Sequence, residues 1–159
     1  MMEEIERKFL VKEVPDLTGK QPIRYERYYL ENSDKKERRI QRKGDKFELE
    51  ELIEDSNLTR QKTKKQITEQ EFKGLKKSAS NAVIRDSSLI SESPQMTLKV
   101  YHDKYDGLIR AEVEFSSEEE AKSFEVPNWF GKEITNSPLG RDSRLLKLSE
   151  EEFQSLINT

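Results

Sequence analysis

The sequence contains no cysteine and a single histidine, His102. The absence of cysteine excludes a disulfide framework, a zinc knuckle and a thiol nucleophile. A lone histidine excludes a multi-histidine metal site and a histidine dyad. No apolar run approaches the roughly 20 residues of a membrane-spanning helix, and acidic residues begin at Glu3, where a secretory leader would be basic and then apolar. We therefore expect a cytoplasmic protein that does not enter a membrane.

Charge is what the sequence has in excess. Charged residues make up 38% of the 159 residues, against roughly 25% in an average globular protein. The 32 acidic and 29 basic residues give a net charge of −3, and this near balance argues against a general or sequence-specific nucleic-acid binder. The length is that of one domain, which we expect to span residues 1–159.

Segments that alternate charged and apolar residues predict β-strands along most of the chain. The predicted strands are 4–11, 23–30, 38–43, 46–53, 58–67, 81–90, 95–102 and 107–115. A Gly44-Asp45 turn joins the third and fourth strands in a hairpin. The capping-box pattern of Thr68 and Glu71 predicts a helix over 69–77, and shorter helices are expected over 117–124 and in the tail. The chain is therefore of the α+β class, mostly antiparallel.

The charged residues recur at every second position on one face of at least four of these strands. A flat sheet could expose this face to water. A closed barrel could instead direct it inward, into a polar lumen. The alternation alone fits both arrangements.

Two pairs of carboxylates are candidates for chemistry. Glu4, Glu6 and Lys8 share one face of the first strand, with neighbours about 7 Å apart. Glu112 and Glu114 share one face of a later strand. Carboxylate oxygens suit hard divalent cations. Taken alone, however, the first motif is better explained as a solvated strand face, and neither pair is specific by itself.

Three stretches, taken together, are typical of one family. They are EIERKFLV at 4–11, GLIRAEVEFSSEEEAKSF at 107–124 and PNWFGKEIT at 127–135. In this order and spacing the chain resembles the CYTH family, also called triphosphate tunnel metalloenzymes, as far as about Leu148. The resemblance implies an eight-stranded antiparallel closed tunnel-like β-barrel, with a charged lumen and a few short flanking helices.

The resemblance also implies a site and a ligand. Members hydrolyse triphosphate compounds or cyclise ATP with Mg²⁺ or Mn²⁺. The implied metal ligands are Glu4, Glu6, Glu112 and Glu114, and the implied catalytic residues are Glu6 and Lys8. The triphosphate or polyphosphate would be bound by Lys8, Arg39, Arg60, Lys62, Lys64, Arg85 and Arg110, the last chosen because it shares a strand face with the second carboxylate pair. The sequence leaves open whether the chain forms a homodimer.

The chain departs from the family pattern mainly at basic positions. Gln41 and Ser87 stand where the family has arginines, and the lysine of the fourth strand is absent. Lys99 stands at a position that is often acidic. In the tail, Gly140 and Asp142 replace a tyrosine and an asparagine.

The third to fifth strands carry an apparent exchange of charge. Pairing through the Gly44-Asp45 turn puts Glu48 and Glu50 on the lumen face of the fourth strand, whereas the fifth carries Lys62 and Lys64 where the family has glutamates. Opposite charges across strands stabilise a sheet. The exchange is either a rewired working site or a lumen that has drifted after losing its catalytic constraint.

Three functions follow from these observations. The first is a metal-dependent hydrolase of inorganic triphosphate or a nucleoside triphosphate, favoured by the retained carboxylates with Lys8 and Arg39. The second is a non-catalytic module that binds polyphosphate or a nucleotide, favoured by the lost basic residues. The third is an adenylate cyclase, which ranks lower because no feature that would recognise adenine is evident.

Trp129 would either contact the ligand at the rim of the tunnel or pack outside the barrel, and we favour packing outside the barrel.

Overall fold

The computed structural model describes residues 2–56 and 59–159, which form nine β-strands and four α-helices within those ranges. The strands are β1 (Met2–Val11), β2 (Ile23–Asn32), β3 (Lys36–Lys43), β4 (Lys46–Glu54), β5 (Thr59–Ile67), β6 (Val83–Glu92), β7 (Gln95–Tyr101), β8 (Ile109–Glu114) and β9 (Phe130–Glu133). The helices are α1 (Glu69–Lys76), α2 (Glu118–Ser123), α3 (Asp142–Leu145) and α4 (Glu150–Ile157). Within the described part of the chain, no helix is both long enough and apolar enough to span a bilayer.

Strands β1 to β8 close into an antiparallel barrel. Their order is β5-β4-β3-β2-β6-β7-β8-β1, and β1 pairs back onto β5, with Glu4 opposite Arg60. This closure confirms the eight-stranded barrel and excludes the flat sheet. The predicted strand ends lie within two residues of the observed ones, and Leu58, the predicted start of the fifth strand, lies outside the described residues.

The short strand β9 is not predicted by the sequence, which suggested only a loop at Trp129-Phe130. It pairs with β1 at Phe9 and Val11, beyond the four residues of β1 that pair with β5. The end of β1 would otherwise leave its backbone groups without partners on that edge, and β9 supplies them.

The barrel carries its apolar residues on the outside and its charged residues inside. Along β1, Ile5 and Phe9 are buried against Ala121 of α2, whereas Glu6 and Lys8 face the lumen. Helix α1 covers another part of the exterior through Phe72, as α4 does through Phe153. Burial of apolar area therefore stabilises the exterior layer and leaves the lumen free for charge.

The tail crosses one end of the barrel. Gly140 approaches the chain so closely that an added Cβ would lie 2.2 Å from the carbonyl oxygen of Ile134, so only glycine fits there. The carbonyl of Ser143 in α3 then accepts a hydrogen bond of 2.8 Å from Asn32, at the end of β2. Arg141, just before α3, donates to Glu54 at the end of β4 over 3.0 Å. These contacts close this end of the lumen.

Trp129 packs outside the barrel, as favoured from the sequence. Its ring lies edge-on to Phe130, with centroids 4.6 Å apart, and contacts the apolar cluster around Phe9. It is absent from the residues that line the lumen cavity.

We expect Trp129→Ala to lower the free energy of unfolding by about 1–2 kcal/mol, less than the roughly 3–5 kcal/mol of a fully buried aromatic, because the ring is only partly covered. Binding of triphosphate should not change. Urea unfolding and calorimetry would measure the two effects, and unchanged stability with lost binding would place the ring at the ligand instead.

Candidate active site

A cavity of about 120 Å³ occupies the lumen, and every site residue expected from the sequence lines it. Its basic residues are Lys8, Arg27, Arg39, Lys43, Arg60, Lys62, Lys64, Arg85, Lys99, Arg110 and Arg141. Its acidic residues are Glu4, Glu6, Glu37, Glu50, Glu112, Glu114 and Asp142. The wall thus has eleven basic and seven acidic side chains. Two further carboxylates, Glu48 and Glu54, pair with Lys64 and Arg141 from beside the wall, which leaves a formal excess of two basic side chains. One of the basic side chains, Lys99, has its pKa lowered to about 7 by burial and by the nearby charge of Arg85.

Three carboxylates of the wall converge on one point. Glu4, Glu6 and Glu114 each offer an oxygen, and these oxygens lie within 4.8 Å of one another. The pairing of β1 with β8 is responsible, because it sets Glu6 opposite Glu114. Partial burial raises the pKa of Glu114, and the neighbouring charges of Glu6 and Glu4 raise it further. Carboxylate oxygens that converge in this way suit a hard divalent cation, which prefers oxygen ligands.

Glu112, the fourth expected metal ligand, lies outside this group. Its carboxylate is 2.8 Å from the ammonium of Lys99 and 2.6 Å from Nη2 of Arg110. Burial would raise the pKa of Glu112, but Lys99 and Arg110 outweigh it and hold that pKa well below its usual range. The structure therefore brings together three of the four expected ligands and pairs the fourth with protein cations.

Glu6 links the carboxylate group to the basic side of the wall. Its Oε1 lies 3.1 Å from Nζ of Lys8 and 3.3 Å from Nη2 of Arg60. Burial alone would raise the pKa of Glu6, but the charges of Lys8 and Arg60 lower it to about 2. The carboxylate is thus ionised at neutral pH and holds both cations at the cavity.

The expected charge exchange between β4 and β5 is present as ion pairs. Glu50 accepts from Nε of Arg39 over 2.8 Å and lies 3.2 Å from Nζ of Lys62. Glu48 lies 3.5 Å from Nζ of Lys64 and accepts from Gln41 over 2.7 Å. The hairpin register is as predicted, with Glu50 opposite Arg39 and Glu48 opposite Gln41.

Asp142, for which the sequence predicts no role, lies at the centre of the closed end. Its side chain is 1% exposed. It is contacted by Arg27 Nη1 at 3.1 Å, Arg85 Nε at 3.0 Å, Arg110 Nη2 at 3.2 Å and the Tyr101 hydroxyl at 2.5 Å. Burial would raise the pKa of Asp142, but the three arginines hold it well below its usual range. The available signal was an acidic residue at a tail position where the family has a neutral amide.

The pair of Glu50 and Lys62 should be energetically coupled. Glu50→Gln should lower the free energy of unfolding by about 1–3 kcal/mol, because it leaves Arg39 and Lys62 with less negative charge in a confined but hydrated space. In a double-mutant cycle with Lys62→Gln, urea unfolding should give a coupling of about 1 kcal/mol.

The matched control is Lys65→Gln, on the same strand but on its exposed outer face. It should show no coupling to Glu50→Gln. Coupling near zero for Lys62 as well would mean that the observed ion pair contributes nothing to the fold.

Comparisons with known proteins give consistent results. The chain is 33% identical to an inorganic triphosphatase of Nitrosomonas europaea over 138 residues, which are 84% of this chain and 90% of that protein. It superposes on a solved structure of an inorganic triphosphatase with a TM-score of 0.65 at 29% identity, covering 94% of this chain and 97% of the other. A putative adenylate cyclase of Bacillus halodurans shares the fold at a TM-score of 0.58 and 18% identity, over 77% of this chain and 86% of that one. No family model matches the chain.

Proposed function

The chain belongs to the CYTH family of triphosphate tunnel enzymes, and we propose that it hydrolyses a phosphoanhydride bond of a triphosphate compound, with inorganic triphosphate as the first candidate substrate. The observation that carries this proposal is the cavity itself. A wall with excess positive charge beside a group of three carboxylates suits a polyanion that arrives with a divalent cation.

Glu4, Glu6 and Glu114 would hold the cation, either Mg²⁺ or Mn²⁺. The fit rests on their crowded oxygens and on Oε1 of Glu4, which is buried and has no hydrogen-bond partner among the described residues. When bound, such an ion supplies Lewis-acid polarisation of a phosphoryl oxygen. Glu112 would stay outside this set, because its oxygens are not among those that converge and they contact Lys99 and Arg110 instead.

The basic residues of the wall would bind and orient the phosphates. Lys8 lies beside the carboxylate group through its contact with Glu6, so its ammonium can stabilise charge that develops on the reacting phosphoryl group. Further charge along the wall comes from Arg39, Arg60, Lys62 and Lys64. Arg85 adds Nη2, a donor without a hydrogen-bond partner among the described residues. Catalysis would then consist of positioning and charge stabilisation, as in other phosphoryl transfers.

A second candidate is a module that binds the polyanion without hydrolysing it. The observation that favours it is the pairing of Arg39 with Glu50 and of Arg60 with Glu6 and Glu37. These ion pairs hold the two guanidinium groups in place and limit how well they can stabilise the charge of a transition state. Turnover separates the two candidates.

Release of phosphate should be fastest with inorganic triphosphate and should require Mg²⁺ or Mn²⁺, since the carboxylates need a cation to approach the phosphates. The measurement is colorimetric phosphate release from triphosphate, ATP and pyrophosphate with each metal and with EDTA. Tight binding without turnover under every condition would reject hydrolysis in favour of the binding module, and formation of cyclic AMP would indicate the cyclase.

Glu6→Gln and Glu114→Gln should each weaken binding of Mn²⁺ at least tenfold in calorimetry without substrate, because each removes one charged oxygen ligand. Glu133→Gln is the matched control, since Glu133 pairs with Arg7 outside the lumen. Equal Mn²⁺ affinity in the wild type and all three variants would show that the cation does not bind to these carboxylates.

A further inference from the structure

The closed end of the cavity has the composition of an anion site, and the chain supplies the anion itself. Arg27, Arg85 and Arg110 converge on the carboxylate of Asp142, and the Tyr101 hydroxyl donates a fourth hydrogen bond. Guanidinium groups bind carboxylates and phosphates through the same hydrogen-bonding fork. Asp142 therefore occupies a place that a phosphate group could fill.

The carboxylate is fixed there by the segment around it. Ser143, the next residue, contacts Glu37 of β3, and its carbonyl is bound by Asn32 of β2. Arg141, the residue before, is bound to Glu54 of β4. With strands on three sides holding its neighbours, Asp142 cannot easily withdraw when a ligand enters.

The opposite end of the lumen is the mouth. Lys64 and Glu114, which line the cavity there, are exposed to solvent, as is Gln95 at the start of β7. A phosphate chain would thus enter from the mouth and advance towards Asp142, which repels it.

Arg85 lies at the boundary between the two. It is fully buried, donates from Nε to Asp142, and donates from Nη1 to Ser87 over 2.9 Å. Its Nη2 has no hydrogen-bond partner among the described residues. A guanidinium in a cavity wall that keeps one unpaired buried donor is suited to bind an anion that enters the cavity.

We propose that Asp142 is a specificity-determining residue that sets how far a phosphate chain can enter the cavity. The terminal phosphate stops at the open donor of Arg85, because Asp142 already neutralises Arg27 and Arg110 behind it. The site thus binds the terminal phosphate of a short chain and does not admit the additional phosphates of a longer chain beyond Arg85. This inference rests on the proposed function for the identity of the ligand, but it concerns binding and not turnover.

The test is calorimetric binding of pyrophosphate, triphosphate and tetraphosphate to the whole chain in EDTA at one ionic strength. In the wild type, affinity should rise from pyrophosphate to triphosphate and change less than twofold with tetraphosphate. Asp142→Asn keeps the shape but removes the charge, so it should bind triphosphate at least tenfold more tightly. The affinity for tetraphosphate should increase by a larger factor than the affinity for triphosphate, since the end of the longer chain can now reach Arg27 and Arg110.

Asp86→Asn is the matched control. It removes the same charge from a partly exposed carboxylate that pairs with Arg24 and His102 away from the cavity. Its affinity for each phosphate should equal that of the wild type. An equal gain in Asp86→Asn and Asp142→Asn would reflect net charge alone and would overturn the proposal.

A second variant keeps the test decisive if Asp142→Asn does not fold. Asp142→Glu retains the charge and the ion pairs but advances the carboxylate by one methylene towards the mouth, so it should weaken binding of triphosphate severalfold. Equal affinities in the wild type and the folded variants would overturn the assignment of Asp142, whatever the activity. Binding that follows the expected order without phosphate release would instead reject hydrolysis and support the assignment.

Discussion

The pairing of charge inside the barrel is the constraint on which the rest of this structure depends. A buried charge without a partner costs several kcal/mol, and here the inward face of nearly every strand is charged. Glu50 shows how the cost is met, since it contacts Arg39 at 2.8 Å, Lys62 at 3.2 Å and Arg27 at 3.8 Å from three different strands. Arg39 and Lys62 lie on the strands next to β4, so the sheet alone brings them to Glu50. Closing the barrel adds contacts between β1 and β5, such as that of Glu6 with Arg60 at 3.3 Å, and it encloses all of these charges in one lumen.

The same constraint explains why the apolar residues lie outside. A lumen filled by ion pairs leaves no interior core, and the stabilising burial must come from the outer faces of the strands under α1, α2 and α4. It also explains the tail. The end of the barrel exposes Arg27, Arg85 and Arg110 together, and a carboxylate delivered by α3 neutralises all three at once.

The sequence predicted the eight barrel strands well, because charged and apolar residues alternate along most of them whichever side is buried. It also predicted the ion pairs of Glu50, because the Gly44-Asp45 turn fixes the register locally. It could not predict the role of Asp142, which meets Arg27 across 115 residues, nor the separation of Glu112 from the carboxylate group. Both features depend on which of several oppositely charged side chains each carboxylate contacts. Those contacts form between segments that are far apart in the sequence, so the local pattern does not determine them.

The distribution of charge bears on whether the exchanged lumen is a rewired site or a decayed one. Drift under charge balance alone would bring the lumen towards neutrality, since each unmatched buried charge destabilises the fold. The wall instead keeps a formal excess of two basic side chains after its nearby carboxylates are paired, and it keeps three carboxylates crowded together at another point. Both imbalances are unfavourable in the free protein, and a polyanion with a divalent cation would relieve both. Under the proposed function such a ligand would relieve both imbalances, and for this reason we favour the rewired site over the decayed one.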